Sequence, residues 1–177
     1  MRLGETSLVG AYVIEPDPLR DVRGWFARTF DRAELEACGL ETGIVQCSLS
    51  GNAVRGTLRG LHYQTPPHAE AKFVSCIRGG AYDVAVDLRP ESSTYRAWFA
   101  VELTAENHRL LYVPPGCAHG FQTLLDDTEL LYQITHEYVP AAARGVRWDD
   151  PAFAIEWPAV ERRTMSERDA TYPDYRG

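Results

Sequence analysis

An all-β barrel or sandwich is the fold that this sequence predicts, and three observations predict it. Short runs rich in aliphatic and aromatic residues recur about every ten positions, separated by Gly, Pro, Asn and Asp. One of them, 81–88, alternates Tyr82, Val84, Val86 and Leu88 with Asp83, Ala85 and Asp87, the two-residue period of a strand. The long helical patterns that would link the strands of a parallel sheet are missing.

Taken in order, residues 8–15 (LVGAYVIE) are the first predicted strand, and Pro16, Asp17, Pro18 and Asp21 break it. Residues 24–30 are extended, with aromatics at Phe26 and Phe30. Residues 31–38 form the one helix expected before the C-terminal region. Asp31 suits the N-cap, Glu34 follows at capping-box spacing, and Gly39 ends it. Residues 44–49 form a strand, followed by turn signals at Gly51-Asn52 and Arg55-Gly56. The runs 58–64 and 71–78 come next, stopped by Pro66-Pro67 and Gly79-Gly80. Beyond 81–88 lie strands at 95–103 and 109–113, and a tight loop from Pro114 that enters a strand at 121–124. A last strand, 129–135, follows the acidic turn Asp126-Asp127. Trp148, Phe153, Ile155 and Trp157 are expected to pack the tail against the body, and Ser166 to cap a final helical turn. With no repeat and no linker, residues 1–177 are expected to form a single domain.

A chain of 177 residues buries roughly 70% of its unfolded surface and needs no covalent staple. Its net charge of −7 argues against a general nucleic-acid binder, while leaving room for a local basic cleft around a small phosphorylated ligand. Cys38, Cys47, Cys76 and Cys117 form no CxxC pair and are expected to be free, buried thiols. No stretch is long and apolar enough for a membrane span, and no leader pattern opens the chain. A cytoplasmic location is the expectation.

The chemistry concentrates in Gly56-Thr57-Leu58-Arg59-Gly60-Leu61-His62-Tyr63-Gln64 and in Lys72 beyond it. Charged groups on a strand this apolar must be paired or used. His62 fits three roles: a base working near neutral pH, a metal ligand, or a hydrogen-bonded core residue. As a base it would need a carboxylate on its other nitrogen, and Asp169, Asp83 and Asp87 are all candidates. Lys72 fits either an oxyanion stabiliser or a snorkelling side chain. Arg59 and Arg23 match the geometry of phosphate or carboxylate. His119, in Pro114–Phe121, is expected to orient a ligand rather than join His62 on a metal, because two histidines without a His-x-His pair are a thin ligand set. Tyr132 and Tyr138, six apart, share a sheet face if their strand is unbroken, and a tyrosine there could return a proton to the face opposite a base. No P-loop, dinucleotide fingerprint or nucleophile elbow occurs, so neither ATP nor nicotinamide is called for.

Together these segments resemble the dTDP-4-dehydrorhamnose 3,5-epimerase family of nucleotide-sugar epimerases. The matching pieces are Arg23-Gly24-Trp25-Phe26, Leu58–Gln64, Lys72, Asp83–Arg89, Pro114–Phe121, Tyr132, Tyr138, Gly145–Pro151, Ile155–Pro158, Ser166 and Asp169. The resemblance implies a cupin-type jelly roll, a homodimer, no metal and no other cofactor. It implies His62 as the base beside the C4 ketone, Asp169 as its orienter, Lys72 at the enolate oxygen and Tyr132 as the opposite-face acid. It also implies Arg23 and Arg59 at the diphosphate, Phe26 and Tyr138 along the nucleotide and sugar, His119 in support, and Arg23 with Phe26 reaching a partner's pocket. Arg28, Gln46 and Ser48 fall in the nucleotide and sugar region. There Arg28 stands for the family's usual glutamate and Ser48 for asparagine, and Ala143 replaces a further glutamate. A change from carboxylate to guanidinium reverses hydrogen-bond polarity, so the base stays open between thymidine, cytidine and others. Epimerisation at C3, at C5 or at both also stays open, as does a binding role without catalysis.

Overall fold

The computed structural model describes residues 1–177. Thirteen strands and two short helices build it. The strands are β1 (Arg2–Glu5), β2 (Tyr12–Glu15), β3 (Leu19–Asp21), β4 (Gly24–Phe26), β5 (Gln46–Asn52), β6 (Leu58–Gln64), β7 (Lys72–Arg78), β8 (Gly80–Asp87), β9 (Trp98–Thr104), β10 (Leu110–Val113), β11 (Cys117–Thr123), β12 (Thr128–Ile134) and β13 (Ala143–Gly145). The helices are α1 (Arg32–Ala37) and α2 (Glu167–Ala170). A six-stranded sheet in the order β1-β2-β10-β7-β12-β5 faces a five-stranded sheet in the order β13-β6-β11-β8-β9, and β3 and β4 form a separate hairpin. The strand pairs are antiparallel throughout. This is the all-β jelly-roll sandwich of the cupin type.

The layer between the sheets holds the largest apolar cluster, with Val74, Cys76, Ala81, Ala85, Leu111, Phe121 and Leu130 buried in it. A second cluster joins the outer face of the six-stranded sheet (Ile14, Phe73, Leu110, Tyr112) to Leu35 of α1 and to Leu40. The third lies under the tail, where Leu61, Val84, Val86 and Ala118 meet Val146 and Phe153, with Ile155 and Trp157 against them. Phe153, Ile155 and Trp157 thus pack the tail as expected, whereas the Trp148 ring lies under the Arg163 guanidinium at 4.6 Å. Each large aliphatic or aromatic side chain fully buried in these layers stabilises the fold by about 1.5–3 kcal/mol.

Helix α1 is capped as expected at Asp31, whose carboxylate accepts from the Ala33 and Glu34 amides at 3.1 and 3.2 Å. Gly39 (φ +79°) ends it, with its own amide bonded to the Glu36 carbonyl and the Leu40 amide to the Leu35 carbonyl. Glu34 is directed elsewhere, to the N-terminal ammonium at 3.4 Å.

Several expectations need correction. Ser7–Gly10 turns, so the predicted first strand starts at Tyr12 and a separate β1 precedes it. Strand β5 runs through Gly51-Asn52, and the turn falls at residues 53–57. Residues 95–97 lie outside β9, and 117–120 are strand rather than loop. Strand β12 stops at Ile134, so Tyr138 does not share it with Tyr132. All four cysteines are free, but Cys38 and Cys47 are exposed. Burial holds the other two inert, pushing the Cys76 thiol up to about 11 and the Cys117 thiol up to about 12.

Candidate active site

The site forms where β6 and β11 approach unusually closely. A Cβ on Gly60 would lie 2.7 Å from the Gly120 Cα and the His119 carbonyl, and a Cβ on Gly120 would lie 2.7 Å from the Arg59 carbonyl. Two glycines are thus required for this contact, and Gly60 also takes φ +112°. The register slips between His119 and Phe121, and His62 comes to lie directly across from His119.

Two carboxylates divide the two histidines. His62 Nε2 is 2.7 Å from Asp169 Oδ1, and the Gly60 amide donates to Asp169 Oδ2 at 3.2 Å. Asp169 is delivered by α2, where Ser166 Oγ accepts the Asp169 amide at 3.1 Å. Burial pushes the Asp169 carboxyl up. The hydrogen bond and charge of His62, the Gly60 amide and Ser166 outweigh it and leave the carboxyl below its ordinary value. An ionised Asp169 suits a proton on Nε2, and in the neutral ring that tautomer leaves Nδ1 as the free nitrogen. His119 Nε2 instead lies 2.9 and 3.0 Å from the two oxygens of Asp83, fully between the sheets. Burial raises the Asp83 carboxyl, opposed by His119 and Lys72. Asp87, the third candidate partner, is taken by Arg89, Ser92 and Thr94.

Lys72 opens β7 on the opposite sheet and is 8% exposed. Its ammonium lies 2.6 Å from Glu70 Oε1 and donates to the His62 carbonyl at 3.2 Å. Glu70 carries no signal in the sequence, because a carboxylate beside a proline-rich turn is usually solvated. Tyr132 lies on β12 across from Val74, which faces the core, and its ring stands 5.9 Å from the His119 ring. Burial drives the Tyr132 hydroxyl far above the ordinary phenol, helped by the charge of Asp83 and opposed by Arg59 and by a hydrogen bond with Ser50. It keeps its proton across any working pH.

His62 joins two lobes of one cleft. The first includes Gln46, Lys72, Glu70 and Tyr138, and the second includes Arg59, Ser166 and Asp169. Arg168, on α2 beside Asp169, borders both lobes and is a cleft residue that its tail position in the sequence conceals. Arg59 is exposed rather than buried, and Asn52 and the Gly51 carbonyl hold its guanidinium at 2.8 and 3.2 Å. Ser48 is exposed and sits across from Tyr132, on the face of edge strand β5 that carries Gln46, Ser50 and Asn52. Gln46 of this face lines the first lobe. Arg23, Phe26 and Arg28 are not brought here. Arg23 pairs with Asp21, Phe26 is 69% exposed on the β3–β4 hairpin, and Arg28 pairs with Asp31 at 3.0 Å. No three His, Cys, Asp or Glu side chains converge as metal ligands would.

The family model described as dTDP-4-dehydrorhamnose 3,5-epimerase matches residues 5–176. The chain belongs to this family. An epimerase of the family from Methanothermobacter thermautotrophicus is 44% identical over 99% of the chain and 95% of its own length. The crystal structure of dTDP-4-dehydrorhamnose 3,5-epimerase from Elizabethkingia anophelis superposes with a TM-score of 0.96 at 38% identity, covering 99% of this chain and 96% of that one. ChmJ, a 3'-monoepimerase from Streptomyces bikiniensis in complex with dTDP-quinovose, superposes with a TM-score of 0.87 at 34% identity, covering 96% and 85%. Membership in the dTDP-4-dehydrorhamnose 3,5-epimerase family makes the chain an enzyme of the sugar-nucleotide isomerase class. No helix is long and apolar enough to cross a membrane.

Proposed function

We propose that the chain epimerises a dTDP-linked 4-keto-6-deoxyhexose at C3 and C5, taking dTDP-4-dehydro-6-deoxy-D-glucose to dTDP-4-dehydro-L-rhamnose. The observation that carries this reading is the His62–Asp169 pair at 2.7 Å, lining a cleft with Lys72. The ketone acidifies the C–H bonds on either side of C4. His62 Nδ1 removes one of those protons, and the bonding pair moves onto the C4 oxygen. The ammonium of Lys72 has three N–H groups, two of them committed to Glu70 and the His62 carbonyl, and the third meets the enolate oxygen. Tyr132 then protonates the carbon. His62 and Tyr132 belong to opposite sheets, which favours delivery to the opposite face and therefore inversion. The steps involve no net oxidation, and this reading needs neither metal nor cofactor.

The remaining roles follow from charge. Arg59, with Arg168 beside it, takes the diphosphate; His119, held by Asp83, supports Tyr132; and Tyr138, Gln46 and Ser48 line the path of sugar and nucleotide. Arg23, Phe26 and Arg28 belong to a neighbouring subunit's cleft. The β3–β4 hairpin exposes Leu19, Val22, Trp25 and Phe26, a surface that suits a second copy in a homodimer. Residues 1–177 work as one domain, and four free cysteines, two exposed, suit the reducing cytoplasm.

The test is exchange in deuterated water, followed by NMR, with 4-keto-6-deoxyglucose linked to dTDP, CDP, UDP and GDP. Deuterium is expected at C3 and C5 of the dTDP sugar. Label at C3 alone would place the chain with the 3'-monoepimerase type, and exchange on none of the four nucleotides would refute the enzymatic reading.

A further inference from the structure

Glu70 has a buried oxygen with nothing to bond. The residue is 7% exposed and lies just before β7, in the lobe of the cleft that also holds His62, Lys72 and Tyr138. Oε1 is 2.6 Å from the Lys72 ammonium, whereas Oε2 is buried and has no hydrogen-bond partner. An ion pair alone does not require this arrangement, because one oxygen already satisfies it. A buried carboxylate oxygen without a donor is costly, and Glu70 lines the lobe that holds His62, so a turn of its carboxylate brings Oε2 to a ligand bound there.

Charge restricts which part of a nucleotide sugar can supply that donor. Phosphates and the ketone oxygen are acceptors that a carboxylate repels, which leaves the N–H of the base and the hydroxyls as donors, and beside Lys72, at the sugar end, the donor is a hydroxyl. The neighbouring cation narrows the choice further. Lys72 serves the C4 oxygen, and the one hydroxyl on a carbon adjacent to C4 is at C3. We propose that Glu70 Oε2 accepts a hydrogen bond from the C3 hydroxyl of the hexose, a proposal that rests on the nucleotide-sugar reading of the cleft. Glu70 then fixes the ring twice, through its own bond to the hydroxyl and through the ammonium it holds at the ketone. The same carboxylate turns the substrate end for end, keeping the diphosphate in the Arg59 lobe and the sugar in its own. It selects for sugars that carry a hydroxyl donor beside the ketone.

A cycle of enzyme and substrate changes tests this, read as deuterium exchange at C5, a position that both substrates share. The substrates are dTDP-4-keto-6-deoxyglucose and its 3-deoxy analogue. In the wild-type enzyme the analogue should lose about tenfold to a hundredfold in kcat/KM, the scale of a hydrogen bond to a charged group. Glu70→Ala should handle the two sugars within about threefold of each other, because the partner of the hydroxyl is already gone. Glu70→Gln keeps the shape and serves where the alanine variant does not fold; its preference should fall at least about threefold below wild type. Equal handling of the two sugars by the wild type, or an undiminished preference in a folded variant, overturns the proposal. Absence of C5 exchange on the parent sugar by the wild type would instead strike the functional reading itself, so the two failures are distinct.

Discussion

His62 is oriented by one bond, from Nε2 to Asp169. With Asp169 ionised and accepting from Nε2, Nδ1 of the neutral ring is the nitrogen left to take a proton from carbon. His62→Asn keeps a polar side chain on a half-exposed position while removing the base. Exchange at both C3 and C5 should fall by about 10²–10⁴-fold with little change in thermal melting. Tyr132→Phe removes the acid but not the base, so first-proton exchange should survive better than net inversion, measured on the same samples by label uptake and by product stereochemistry. Equal loss of both would remove Tyr132 from the acid role. The sequence exposes His62, Lys72 and Tyr132 because charged and hydroxylated residues inside apolar strands stand out. It cannot choose among Asp83, Asp87 and Asp169 as the partner of His62, because the chosen aspartate is 107 residues away and arrives by tertiary folding alone. Glu70 is invisible for a different reason: its burial depends on the cleft closing around Lys72.

At the scale of elements, β8 shows how a strand pattern can be read correctly and still mislead about what is inside. Its alternation is real, but Asp83, Ala85 and Asp87 point between the sheets, while Val84 and Val86 lie beneath the tail. Both faces are buried, and the polar one carries the chemistry. Strand β11 is hidden at its start by the turn at Pro114–Gly116 and by Gly120, which signals a turn in isolation but here permits the close approach to β6. The end of β8 carries a testable charge. Burial pushes the Asp87 carboxyl up, but Arg89, Ser92 and Thr94 together hold it far below its ordinary value and tie down the loop to β9. A depressed folded-state pKa gives stability that is complete above the unfolded value, about 3.9, and is lost as pH falls below it. The wild-type melting temperature should therefore drop on acidification below about pH 4. Asp87→Asn should be less stable at neutral pH and should show a shallower acid slope. An unchanged slope would show that Asp87 does not contribute to the acid limb.

On the scale of the whole molecule, the two sides of the six-stranded sheet's outer face differ. Helix α1 and its flanks cover Ile14, Phe73, Leu110 and Tyr112. Toward β5 the same sheet leaves Leu49 at 60% and Ile77 at 48% exposed, close to the hairpin that bears Trp25 and Phe26. A single chain thus presents uncovered apolar surface together with three ligand-type residues, Arg23, Phe26 and Arg28, that lie outside its own cleft. The proposed homodimer accounts for both facts if each hairpin completes the other subunit's site. The consequence is complementation between two defective chains. Arg23→Ala keeps His62 but lacks the guanidinium that it would lend, whereas His62→Asn lacks the base but still lends Arg23. Each alone should be poor or inactive. Co-expressed in equal amounts, half of the dimers are mixed and one site in each mixed dimer is whole, so activity should recover to about a quarter of wild type. If Arg23 served its own chain, no mixed site would be whole, and the mixture would do no better than the average of its two parents. A chain that stays monomeric by analytical ultracentrifugation at assay concentration would end the shared-site reading directly.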